Sequence, residues 1–457
     1  MKERFWRKIL SVCLALLIIA ALVPAQSISV SAYWDNYGQF SYEFTYVDRR
    51  WDYSQNKLVE EVKTHTGPYS ELKYLWERWE SSNLLYGICD VTPSDWYLVS
   101  WDVTISKRID VIGNVNLVIL DGYTVTFEDG IHVAPGSTLN IYGQSNNSGV
   151  LKAVADTNKQ AAIGGNDGEA CGTVNIYGGQ VTADCYNYGN EAAGIGGGNG
   201  GSGGTVKIYG GTVEALGGNY GAGIGGGYNG AGGEITITGE AHVEATGGYY
   251  GAGIGSGEYG SGGTITLSGG SVIAKGGADG ASIGGGYKGN GGEVTITGKA
   301  DVNATGGDYG AGIGGGNGGS GGNGGDGGTI TITAGQEAHG IGGTDAAGIG
   351  GGYGGSGGTI TINSYKEVSG LGLEDGAGIG GGDGGSGGNI TIENGKVKGT
   401  GGIYYDVPSV INGGAGIGGG GGGNGGTIKI KGGVVEGHAG YRAAGIGGGS
   451  SGDCGTI

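Results

Sequence analysis

The chain has 457 residues, of which 121 are glycine and 5 proline, and it carries a formal net charge of −18. Glycine falls on no three-residue period, which excludes a collagen triple helix, and the acidic balance excludes nucleic acid and anionic lipid as natural partners. Unordered glycine at this density would mean a disordered chain, so periodicity decides.

Residues 1–32 open with MKERFWRK, four basic residues and one acid, followed by the apolar run ILSVCLALLIIAALV. Small-residue sites follow at Val23-Pro24-Ala25 and Val30-Ser31-Ala32. This is the pattern of a secretory signal peptide, with cleavage expected after Ala32 and a secreted, extracellular location. The run from Ile9 to Val23 is too short for a retained helical anchor, and Cys13 lies inside it rather than at its end, against a lipoprotein. Removing the leader's four bases and one acid leaves 20 basic and 41 acidic residues, a net charge of −21. Cys89, Cys171, Cys185 and Cys454 remain, in a compartment where disulfides form. Cys171 and Cys185 stand where the next repeat has glycine, and read as glycine replacements; their pairing is left open.

Residues 33–95 are aromatic-rich and glycine-poor, with Trp34, Trp51, Trp76 and Trp79, and Trp96 just beyond. SELKYLWERWE (70–80) places Leu72, Leu75, Trp76 and Trp79 on one helical face, with Ser70 as N-cap. The region reads as a cap over the first coil of the array that follows, because solenoid ends need covering; an aromatic ligand site is the other reading. Residues 96–160 alternate as short strands broken at Asp121-Gly122, Asp129-Gly130 and Pro135-Gly136. STLNIYGQ (137–144) resembles GTVNIYGG (172–179), so these first coils lead into residues 161–457 without a break.

A marker isoleucine in AGIGGG-like strings gives the period of that last region. It falls at Ile163, Ile195, Ile224, Ile254, Ile283, Ile313, Ile349, Ile379, Ile417 and Ile446. The usual spacing is about 29–30 residues, the mark of a stacked repeat array. Each repeat holds an alternating strand such as GGEITITG (232–239), a short Val-x-Ala segment such as Val243 and Ala245, and the marker string. Alternation puts Ile235 and Ile237 inward and Glu234, Thr236 and Thr238 outward. One such strand buries nothing alone, whereas stacked copies form a continuous core. The reading is an all-β parallel β-helix (β-solenoid) with three short strands per coil and glycine at the corners. The final Gly455-Thr456-Ile457 matches the start of another strand, so a truncated array is expected, with cell-wall association through the missing C-terminal part.

The run VNLVILDGYTVTFEDGIHVAPGSTLNIYGQ (115–144), followed by serial GAGIGGG units, resembles the glycine-rich right-handed β-helix region of large secreted surface proteins of Gram-positive bacteria. Such regions are in the pectin-lyase-like style, and the resemblance implies an adhesin or carbohydrate-binding role over residues 96–457. The Asn-Thr-Asp, Asp-Asp, Gly-His-Gly and Arg-Ile-Lys motifs of pectin-cleaving β-helix enzymes do not occur. His65, His132, His242, His339 and His438 have no ligand spacing and read as surface residues. GGNGGDGG (321–328) imitates the start of a calcium nonapeptide but places Gly328 where an apolar residue belongs, so no metal ligand, cofactor or catalytic residue is assigned.

Two outward columns carry the candidate site. Four residues before the marker stand Tyr220, Tyr250, Asp279, Tyr309, Asp345 and Asp375; four after it stand Tyr228, Tyr287, Tyr353 and Asp383. Tyrosines repeated at coil spacing with acids between them suit stacking on sugar rings and accepting their hydroxyls; stiffening of glycine-rich corners is the plain alternative. A threonine ladder, Thr236, Thr266, Thr295, Thr331, Thr361 and Thr391, is explained by β-propensity. The sequence therefore points to a non-enzymatic display or adhesive module that contacts extracellular glycans, with a polysaccharide lyase or hydrolase and a structural spacer as the alternatives.

Overall fold

The computed structural model describes residues 31–34, 40–52, 57–68, 73–74, 95–155, 159–185, 189–319, 325–402 and 412–457. Residues 1–30 of the expected leader, Cys13, Cys89 and most of the stretch read as a helix lie outside them. Lys73–Tyr74 corrects that reading: it is a short strand parallel to Asp95–Val99. An open sheet edge offers backbone partners, and that outweighs a local helical pattern. Before it, Ser31–Trp34, Phe40–Asp52 and Lys57–Pro68 form a three-stranded antiparallel meander.

From Asp95 onward the strands coil as a parallel β-helix. One turn is typical: Glu234–Ile237 makes the first face, His242–Thr246 the second and Ile254–Gly255 the third. Each strand pairs in register with its counterparts one coil before and after. Ile235 lies between Val206 and Ile265, Val243 between Val213 and Val272, and Ile254 between Ile224 and Ile283. All nine of these side chains are fully buried, so each inward position becomes a column running along the coil stack. Burying one such isoleucine is worth about 1.5–3 kcal/mol, and the ladders pair the backbone of these strands with the coils on either side.

The third face explains much of the glycine. Its strand is two residues long, and Gly225 has φ +136 with Gly255 directly stacked on it. A Cβ at Gly225 would sit 1.8 Å from the carbonyl oxygen of Gly255. No side chain fits there, so a glycine requirement lies within a strand as well as at the corners.

Three further readings are modified. Thr238, expected to face out, is 1 % exposed, because the chain turns inward after Ile237 while its amide still donates to the Ile208 carbonyl at 2.9 Å. Ile430, which takes the strand position that is inward at Ile237 and Ile392, is 41 % exposed; beyond its strand Thr456 bridges back to Thr427. In the later coils Thr359–Leu373 and Asn389–Thr400 run as continuous strands through the first corner, with register shifts at Asn363. Cys171 and Cys185 are buried, with the Cys185 sulfur accepting the Ala162 amide at 3.0 Å, and Cys454 is exposed; among the described residues none of the three is in a disulfide. Burial pushes the Cys171 thiol up to about 12, against a smaller opposing effect of Arg108.

Candidate functional site

The two-residue third strand brings the turns at its ends onto the same side of the coil. The column four residues before the marker and the column four after it therefore run side by side. They are joined diagonally: the second column of each coil donates its amide to the first column of the coil before. Tyr228 donates to the Glu191 carbonyl at 2.7 Å, Glu258 to Tyr220 at 2.9 Å and Tyr287 to Tyr250 at 2.8 Å. Asn317 donates to Asp279 at 2.9 Å, Tyr353 to Tyr309 at 3.0 Å, Asp383 to Asp345 at 2.8 Å and Gly421 to Asp375 at 2.6 Å. All ten residues picked from the sequence stand on this zipper, which extends over successive coils.

Between the columns lies a groove of about 750 Å³ lined by Tyr220, Tyr228, Tyr250, Tyr259, Tyr287 and acids including Glu258 and Asp279. The rings form one connected cluster. Tyr220 stacks on Tyr250 with centroids 5.2 Å apart, and Tyr228 meets Tyr220 edge-on at 5.5 Å. Tyr287 closes on Tyr250 at 5.7 Å and on Tyr259 at 5.8 Å. Tyr309 and Tyr353 make a second pair at 5.8 Å, further along the same zipper. The rings were expected to stand exposed; Tyr220, Tyr228, Tyr250, Tyr287 and Tyr353 are half-buried instead, because adjacent coils pack them against one another, and only Tyr309 keeps the expected exposure.

Several groove residues escaped the sequence reading. Tyr259 sits at φ +61, a left-handed conformation that bulky side chains rarely take, and the residue, which lines the groove, is 46 % exposed. It hydrogen-bonds Glu258. Lys288 lies 5.0 Å from the Tyr287 ring and 5.8 Å from that of Tyr259. At one end Lys159 pairs with Glu191 at 3.0 Å. A scan extended to every residue four places from a marker would have found Glu191, Asn199, Glu258 and Asn317; Tyr259 has no such signal.

The groove is acidic. Burial pushes the Asp279 carboxyl up, opposed by the hydrogen bond from Asn317 Nδ2 at 2.6 Å. Burial likewise raises the carboxyl of Glu258, opposed by its bond to Tyr259. Burial and then the Asp279 charge raise the Tyr250 phenol. Such a surface offers aromatic faces, carboxylate acceptors and phenolic donors, and repels an anionic chain.

Further along, where the sequence gave no reason to expect a metal ligand, the columns bring Asp345, Asp375 and Asp383 together. One carboxylate oxygen from each lies within 4.8 Å of the others. Separately, His132 corrects the surface reading: it is 8 % exposed, with Nδ1 2.8 Å from Asp110 and Nε2 2.9 Å from Glu169. It ties three successive coils together, because the in-register stacking that sets His132 over Asp110 also brings up Glu169 from the next coil. Asp326, in the tract that imitates a calcium nonapeptide, accepts the Ser356 amide at 2.7 Å.

Among family models, the Beta helix repeat matches residues 174–199, 206–228, 235–258, 265–287 and 294–317. These are five successive coils, and they carry the aromatic groove. No curated protein and no solved structure matches the chain.

Proposed function

We propose that this β-helix is a secreted, non-enzymatic display or adhesive module that holds an uncharged, hydroxyl-rich polysaccharide along the tyrosine groove. One observation carries the reading: connected tyrosine rings with the buried Glu258 and half-buried Asp279 carboxylates between them, repeated at the coil spacing of about 4.8 Å. Sugar rings stack on such faces while their hydroxyls donate to Glu258 and Asp279. A chain of repeating sugar units suits a site that is itself a repeat. The acidity of the groove and of the whole chain selects against uronate-rich polymers.

The test is a glycan array followed by calorimetry on hits, with Tyr250→Ala and Tyr287→Ala beside the wild type. Neutral glycans should bind, anionic ones should not, and each ring removed should weaken binding about two- to tenfold. Absence of any glycan binding would favour the spacer. Release of reducing ends from a bound polysaccharide would replace the binding reading with a hydrolase.

A further inference from the structure

The aromatic groove leaves the far end of the zipper unexplained. There Tyr309 and Tyr353 give way to Asp345, Asp375 and Asp383, gathered from two successive coils. Three carboxylates facing one another are unfavourable unless something positive lies among them. Among the described residues, no lysine or arginine forms an ion pair with any of the three.

A second, independent feature is the state of Asp375. The residue is 7 % exposed, and its Oδ1 is buried without a hydrogen-bond partner. A buried carboxylate oxygen with no donor is costly and rare in a native interior. The three carboxyls are otherwise only lightly satisfied. Asp375 is hydrogen-bonded by Asn412, Asp383 by the Gly384 amide, and Asp345 Oδ1 accepts the Asp375 amide at 3.4 Å. Room is also kept above the cluster. Gly421 occupies the column position filled by Tyr353 and Asp383 in the two preceding coils. A Cβ there would lie 2.8 Å from Asp375 Cβ, 2.9 Å from its Cγ and 3.0 Å from Asp383 Oδ1.

We propose that Asp345, Asp375 and Asp383 form a calcium site at the acidic end of the groove, with the Asp375 Oδ1 as a ligand. The donors are all carboxylate oxygens, which suits a hard divalent cation. Calcium is favoured over magnesium because three ligands carried on stacked turns impose no octahedron, and calcium accepts irregular oxygen shells completed by water. The charges agree, since burial followed by the Asp383, Asp345 and Glu374 charges pushes Asp375 up to about 6, the strain a cation would relieve. The site is separate from the tyrosine cluster that carries the glycan reading.

The experiment titrates the full chain, after chelation and desalting, with Tb³⁺ and reads emission sensitised by tyrosine, Tyr353 being next to the acids. Ca²⁺ should displace the Tb³⁺ stoichiometrically, at one ion per chain, and calorimetry with Ca²⁺ alone should give the same stoichiometry. Asp383→Asn should weaken Ca²⁺ at least tenfold, and D345N/D375N/D383N should abolish it while the far-ultraviolet circular dichroism is unchanged. The wild-type titration needs no folded variant: if it shows no Ca²⁺ binding near neutral pH, the site is refuted. Binding that survives the triple substitution would place the ion elsewhere and refute it equally.

Discussion

Tyr220 and Tyr250 stand on successive coils, and their rings stack with centroids 5.2 Å apart and planes 9° from parallel. Tyr250 also meets Tyr249 at 4.7 Å and Tyr287 at 5.7 Å. Aromatic pairs contribute about 0.5–1.5 kcal/mol each beyond area burial. Tyr250→Ala should therefore lower unfolding stability by about 1–3 kcal/mol, seen as a lower urea midpoint and a weaker near-ultraviolet signal. An unchanged midpoint would mean that the stack is held by the coils and adds nothing to them.

Ile254 is fully buried between Ile224 and Ile283. Ile254→Ala should cost about 2–5 kcal/mol, whereas Thr236→Ala, on the outer face of the first strand, should stay within about 0.5 kcal/mol. Each coil touches only its neighbours, so the loss should appear as faster amide exchange centred on residues 224–284. Exchange accelerated evenly along the rod would contradict this local coupling.

The native chain should present its cysteines unequally to an alkylating reagent. Cys454 is exposed, while the Cys171 thiol is buried and pushed up to about 12. The thiolate is the reactive form, so at pH 8 Cys454 should be labelled within minutes and Cys171 only on unfolding. Peptide mass mapping after a short pulse reads both sites; prompt labelling of Cys171 would show that its coil opens readily.

With metal chelated, stability should fall as pH rises through the acidic range. Asp375 and Asp383 are each pushed up to about 6 from an ordinary 3.8. For Asp375 the causes are burial, then Asp383, Asp345 and Glu374, with Asn412 opposing; for Asp383 they are burial and Asp345, with the Gly384 amide opposing. Burial, then the charges of Asp383 and Asp345, also raises the Tyr353 phenol. Between about pH 4 and 6 the folded chain holds protons that the unfolded chain has released, so the slope of stability against pH is negative there. Thermal melts in chelator at pH 4.5 and 7 should show the lower midpoint at pH 7 for the wild type, with the difference reduced in D375N/D383N. A rising midpoint in the wild type would reverse the sign of this argument.

Much of the candidate site was legible in the sequence, for a definite reason. A strict coil length makes vertical neighbours of residues one period apart, so Tyr220, Tyr250 and Asp279 had to share one column. The partners of those residues were less legible. Glu258 was missed because the columns were read for tyrosine and aspartate alone, although it stands four residues after Ile254, and Tyr259 because nothing in the sequence marks a left-handed tyrosine. His132 was read as exposed because its two carboxylate partners lie 22 and 37 residues away. The helix expected over 70–80 gave way at Lys73–Tyr74 to pairing with the first coil.

The sequence alone determined the β-helix, its coil length, its buried isoleucine columns and the membership of the two outward columns, because all of these follow from side-chain alternation and a repeated period. Only the tertiary structure decided that the columns meet on a diagonal, with the Glu258 amide bound to Tyr220 of the preceding coil rather than to a residue of its own coil. That offset arises because a turn's amide reaches the carbonyl of the coil beneath it. It is what closes a groove around the tyrosines and draws Asp383 to Asp345 and Asp375.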